Sequence, residues 1–323
     1  LEYVQIVSFG CGHDAYLSDE IIRLMREASG GAKTPLVLKL DESDAAGPLR
    51  IRVRSFVETV DARRAAHRRT FDPSAERVLP DPYPVKFTKK NRRDKVVLVP
   101  NTSHAFARLM TATFCRQGVR AEALDVGGEE AIRLGKKYVH NDICFPAQMT
   151  VGESLAALMS GKYDDADVAI GTGKYIGDCR LTHYAALLRK ALDDAGFADV
   201  PIITNDDVDA HDIHPGFKMS VPAAIRTAVG LPMIDALEAL LRKMRPYELE
   251  PGSANAAFDR ALDETMNGLQ EHGVRGAIAG FKRAIAIMSD VRYDRSRPRP
   301  TVLIVGEYLL NFHPGANRHV EDY

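Results

Sequence analysis

Lys95-Val-Val-Leu-Val99 is an apolar run that reads as a β-strand, and the elements on its C-terminal side decide the fold. A helical pattern runs from Ser103 to Gln117, Gly118 stands where a helix terminator belongs, and a strand pattern returns from Arg120 to Asp125. Strand, helix and strand in that order predict a parallel sheet with crossover helices. The pattern recurs downstream. Asp167-Val-Ala-Ile-Gly171 reads as a buried strand, Leu181 to Ala195 as an amphipathic helix capped by Gly196, and Val200-Pro-Ile-Ile-Thr204 as the next strand. It also opens the chain, with a strand at Tyr3 to Phe9, a helix from Ser18 to about Ala28 stopped by Gly30-Gly31, and a strand at Pro35 to Leu40.

The expected class is therefore α/β, with Rossmann-like or flavodoxin-like parallel sheets and a helical C-terminal segment. Residues 1–72 read as an α/β segment ending a preceding unit, and the proline-punctuated 73–94 as a linker. Residues 95–219 read as a Rossmann-like domain, and 220–300 as helical with breaks at Gly230-Leu-Pro232, Pro246 and Gly252. Strand-like Thr301-Val-Leu-Ile-Val-Gly306 makes 301–323 the start of a further α/β segment, so the sequence reads as a piece of a longer chain.

Composition excludes several classes. With 45% hydrophobic and 27% charged residues the chain is neither disordered nor membrane-like. Lys and Arg total 43 against 44 Asp and Glu, a balance that predicts neither nucleic acid nor an anionic membrane as partner. No apolar run approaches the ~20 residues that span a bilayer, and no signal pattern opens the chain, so the expected location is cytoplasmic. Four cysteines, at 11, 115, 144 and 179, are too few for a disulfide scaffold and fit a reducing compartment. No phosphate-binding glycine loop of either common type is present; Gly171-Thr-Gly173-Lys174 is only a fragment of one.

Two of the cysteines stand at junctions that favour chemistry. In His140-Asn-Asp-Ile-Cys144-Phe-Pro-Ala-Gln148 the thiol precedes a helix with Pro146 in its first turn, where open backbone N–H groups and the positive helix end favour an anion. Cys179, in Gly177-Asp-Cys-Arg180, stands at a strand-to-helix end. Thiolates so placed suit a metal or an iron–sulfur cluster; the alternative is that both are ordinary buried cysteines packed as small hydrophobes. Right-handed crossovers bring successive strand ends to one edge, which predicts Cys144 and Cys179 near each other there. Cys115 sits inside a helix and reads as structural. The acidic, histidine-bearing stretch from Asn205 to His214 lacks the order of a calcium loop and reads as a mobile loop at the sheet's carboxyl edge.

Six motifs together carry a family resemblance. They are Ser8-Phe-Gly-Cys-Gly-x-Asp14, Asn141-Asp-x-Cys-x-Pro-Ala147 with Gly152, the Asp-Cys-Arg of 178–180 before a Tyr-bearing helix, Pro215-Gly-Phe-Lys218, Arg245-Pro-Tyr-Glu248 with Gly252-Ser253, and Val305-Gly-Glu307 with Phe312-His-Pro-x-Ala-Asn317. The set resembles the 2-hydroxyacyl-CoA dehydratase activase-related proteins over nearly the whole chain. The resemblance implies a 4Fe-4S or double-cubane cluster held by Cys144, Cys179 and Cys11, with Arg180 at the cofactor and low-potential electron transfer fed by ATP hydrolysis on a partner activator module. An acyl-CoA and a second copy of the chain are further candidate partners. The competing class is a cluster-free interaction or regulatory module that docks the ATPase activator. Gly173-Lys-Tyr-Ile-Gly177 departs from the family's run before the Cys-Arg pair.

Overall fold

A computed structural model describes residues 2–8, 14–40, 46–66, 83–140, 143–174, 179–204 and 214–322. The architecture is mixed α/β with two parallel sheets. The first pairs β1 (Val4–Ser8) with β2 (Leu36–Leu40) in the register Val4 to Leu36, joined by helix α1 (Asp14–Ala28). That helix begins a turn before the expected cap at Ser18, which is buried instead. Helix α2 (Ala46–Ala65) is rich in arginine. Arg63 pairs with Glu2 at 2.6 Å and Arg52 donates to the Val37 carbonyl, which ties α2 to the two strands.

The second sheet has the order β4-β3-β5-β6, from β3 (Val96–Val99), β4 (Ala121–Ala123), β5 (Val168–Gly171) and β6 (Ile202–Ile203). Its strands alternate between two cores, as a period of two requires. Val97, Val99, Ala169 and Ile203 face one core with Phe114 of α4 (His104–Arg116). Leu98, Val168, Ile170 and Ile202 face the other, built from α5 (Glu129–Tyr138), α6 (Phe145–Met159) and α7 (Tyr184–Asp194). Burial on both faces is what a parallel sheet needs, and it explains why these strands are continuous apolar runs. The prolines before β3 are not all linker: Tyr83 and Phe87 are buried, one in each core, and a short helix α3 (Asn91–Asp94) leads into the strand.

Helices α5 and α6 form an antiparallel hairpin whose backbones nearly touch. A Cβ on Gly152 would lie 1.8 Å from the Ala131 carbonyl oxygen, and one on Gly135 would lie 2.0 Å from that of Gln148. Both neighbours are backbone, so neither can turn aside. Gly152→Ala is therefore expected to push the helices apart and destabilise the fold by ~3 kcal/mol or more. Equilibrium denaturation checks this, and an unchanged midpoint would mean the hairpin is loosely packed.

The helical unit holds two departures from the sequence reading. Helix α8 (Val221–Met244), capped by the Ser220 hydroxyl, runs unbroken through Pro232, and Gly230 lets Leu109 of α4 seat against it. The stretch α9 (Ser253–Ser289) instead folds back on itself at Gly273, whose φ of 64° is a left-handed conformation suited to glycine. Its two arms meet backbone to backbone at Gly268 and Gly276. The unit packs on α4 through Ile234, Leu262, Met266 and Leu269.

Residues 301–306 form no strand. Val302 and Leu303 are 79% and 82% exposed, because no strand edge among the described residues lies beside this segment. Beyond it α10 (Tyr308–Phe312), capped by the Glu307 carboxylate, and the turns to Asp322 lie across the sheet's carboxyl edge as a strap. Leu309, His313 and Ala316 are buried there. No helix is long and apolar enough to cross a membrane among the described residues.

Candidate functional site

The chain leaves β3 for β4 on one side and returns across β3 to β5 on the other, so the loops after β3 and β5 diverge. Open parallel sheets place ligands in that crevice. Cys179 lies beyond β5 and caps a 3-10 turn, Arg180–His183, that leads into α7. Cys144 caps α6, in keeping with Pro146 in the first turn. It arrives not from a strand end but at the tip of the α5–α6 hairpin.

Tyr184, the first residue of α7, contacts Cys144 and lies within electrostatic reach of Cys179. Its phenol oxygen lies 3.1 Å from Cys144 Sγ, and the ring is buried. Burial foremost, then the negative charges of Cys144, Cys179 and Glu307 and the hydrogen bond to Cys144, push its pKa well above the ordinary phenol value. The phenol stays protonated and is the donor when Cys144 is a thiolate. Cys144 Sγ takes no backbone N–H of its own helix, so the phenol and not the helix end is its hydrogen-bond partner. Cys144 is half-buried and Cys179 exposed, and both are free thiols. Arg180, the residue after Cys179, is buried at 3% exposure and so does not lie on the solvated surface.

Cys115 stands apart. It lies on α4, on the opposite face of the sheet from α6 and α7, with Sγ 3.6 Å from the Ala121 carbonyl oxygen. Burial pushes its thiol pKa up, as for an inert structural cysteine. Cys11, Asn141, Asp142 and Asp178 lie outside the described residues. Among the described residues no three His, Cys, Asp or Glu side chains converge as a metal set, so this region presents two thiol donors, Cys144 and Cys179.

Beneath the cysteines lies a buried polar network that no local motif announced. Glu153 of α6 is 2% exposed and accepts from four donors: Asn101 N at 2.7 Å, Asn101 Nδ2 at 3.2 Å, Gly127 N at 2.7 Å and His313 Nε2 at 2.8 Å. His313, with no exposed surface, accepts at Nδ1 from Ala316 N, so its proton sits on Nε2 and points at the carboxylate. The network ties the loops after β3 and β4, helix α6 and the strap together. Gly315 completes the seat, since a Cβ there would fall 1.6 Å from the Gly127 carbonyl oxygen. Glu307, at the start of the strap, is within electrostatic reach of Tyr184.

Sequence reading missed Tyr184, Glu153, Glu307 and His313 as site residues. Tyr184 and His313 fall within quoted motifs but carry no local sign of their partners, and Glu153 meets His313 across 160 positions of chain. Comparison with family models, curated proteins and solved structures finds no match to this chain.

Proposed function

We propose that the chain is an iron–sulfur redox component, of the 4Fe-4S or double-cubane kind, related to 2-hydroxyacyl-CoA dehydratases and their ATP-dependent activators. The observation that carries the proposal is a free thiol, Cys144, bonded to the buried, protonated phenol of Tyr184, which also lies within electrostatic reach of a second free thiol, Cys179. The strand order β4-β3-β5-β6 supports a flavodoxin-like or Rossmann-like assignment, which places ligands at that edge.

The donor chemistry fits such a group: Cys144 and Cys179 would hold it, with Cys11 as the further ligand that the family resemblance implies. When bound, the cluster supplies one-electron transfer at low potential. The protein's part is to orient the thiolates and set their charge. Tyr184 donates to Cys144, Arg180 offsets negative charge beside Cys179, and the strap shields one side from water. An activator ATPase and an acyl-CoA are the partners this reading calls for, in a reducing cytoplasm.

Anaerobic reconstitution with ferrous iron and sulfide tests the proposal. A brown protein with bound iron and acid-labile sulfide is expected; a colourless protein without either would replace this reading with the docking module. On reconstituted protein, Tyr184→Phe is expected to retain the iron and lower the reduction potential, because the reduced cluster loses a donor to its ligand sulfur. Electrochemical titration checks this, and an unchanged potential would place Cys144 outside the ligand set.

A further inference from the structure

A cavity of about 330 Å³ opens between the turn after β3, the helical unit and the strap. Neither Cys144, Cys179 nor Tyr184 lines it, so it is separate from the thiol site. Leu241 and Phe258 give it an apolar wall, while His104, Asn311 and Asp259 face it from the other sides. The volume is at the small end of the range that organic ligands occupy.

Its polar groups are unevenly satisfied. Arg242 is taken up by Glu238 at 3.0 Å and Glu321 at 3.3 Å. Arg245 is taken up by Glu321 and Asp322, both at 2.9 Å, and by Asn255. Three carboxylates thus surround two guanidiniums, and Asp259 adds a fourth carboxylate with no ion-pair partner among the described residues. Exposed His319, 3.4 Å from Asp322, alters that balance only when protonated. Asn311 Oδ1 and His104 Nδ1 are shut off from water and have no hydrogen-bond partner among the described residues. The Asn311 oxygen is an acceptor, and a buried acceptor left open in this way is rare in folded proteins and marks a place where a donor is missing. His104 is held neutral by burial and by Arg108, so it adds no positive charge. The cavity is left with surplus negative charge and an open acceptor, Asn311 Oδ1, beside an apolar wall, a combination that disfavours anions and favours a cationic donor.

We propose that this cavity binds a small organic cation, a primary ammonium or guanidinium on a short apolar stem. The head lies between Asp259 and Asn311 Oδ1, and the stem lies against Leu241 and Phe258. This stands independently of the iron–sulfur reading, since it uses none of those residues.

The test is calorimetric titration of the full chain with phenethylammonium, and with phenylacetate as a probe of the same shape and opposite charge. Saturable binding of phenethylammonium is expected, with phenylacetate at least about tenfold weaker. Asp259→Asn and Asn311→Leu should each weaken phenethylammonium about tenfold. Asp259 is exposed, so its variant keeps the fold and the test intact even if Asn311→Leu does not fold. Equal binding of the two probes, no binding of either, or phenethylammonium binding unchanged by Asp259→Asn would each overturn the assignment.

Discussion

Cys144→Ser and Cys179→Ser are each expected to strip most of the iron and sulfide from anaerobically reconstituted protein, while Cys115→Ser leaves both in place. A hydroxyl is a poor ligand to iron, and each of the first two changes removes a thiolate from the same side of the sheet. Neither should unfold the chain. Cys179 is exposed, and Cys144 is only half-buried at the margin of a core whose buried strands and helices supply most of the packing on that face. Cys115 is the control because it shares the chemistry but not the place, bonded to the Ala121 carbonyl on the far side. Iron and sulfide analysis with far-ultraviolet circular dichroism reads both quantities at once. Equal loss in all three variants would show adventitious iron and end the cluster assignment.

Glu153→Ala is expected to cost about 3–5 kcal/mol of stability, the range for removing one member of a buried, charge-bearing network. The change leaves the N–H groups of Asn101, Gly127 and His313 without their acceptor, and those of Asn101 and His313 are buried. His313→Ala removes one donor of four and releases the strap, so it should cost less. Urea denaturation of both single variants and the double variant measures the coupling. If Glu153→Ala loses under ~1 kcal/mol, water or another group replaces the acceptor, and the strap is held by apolar contacts and by the Arg242 and Arg245 ion pairs alone.

Much of the α/β unit was legible because two-face burial writes itself into the chain as apolar runs. Val96–Val99, Val168–Gly171 and Ile202–Ile203 needed no partner to be recognised as strands, and glycines or hydroxyl caps such as Ser103 and Ser220 marked the helix ends. Both cysteine junctions were legible on local grounds: Cys144 stands before a helix with proline in its first turn, and Cys179 between a buried strand pattern and a helix pattern. Cys115, inside a helix, could be set apart on equally local grounds.

What the sequence by itself determined about this protein is the set of elements and the two thiols at their starts, since backbone geometry and burial period act within a few residues. Tertiary structure alone decided the rest. Gly273 turns a helical pattern into a hairpin whose two arms meet at Gly268 and Gly276, and Pro232 stays inside a helix that packs on α4 where Gly230 leaves room for Leu109. The segment 301–306 has the composition of a strand, but among the described residues no strand edge pairs with it. The contacts of Tyr184 with Cys144 and of His313 with Glu153 join residues 40 and 160 positions apart. A hydrogen bond between such distant side chains leaves no periodicity or spacing behind, because it depends on where the crossovers bring the chain and not on any neighbour in sequence.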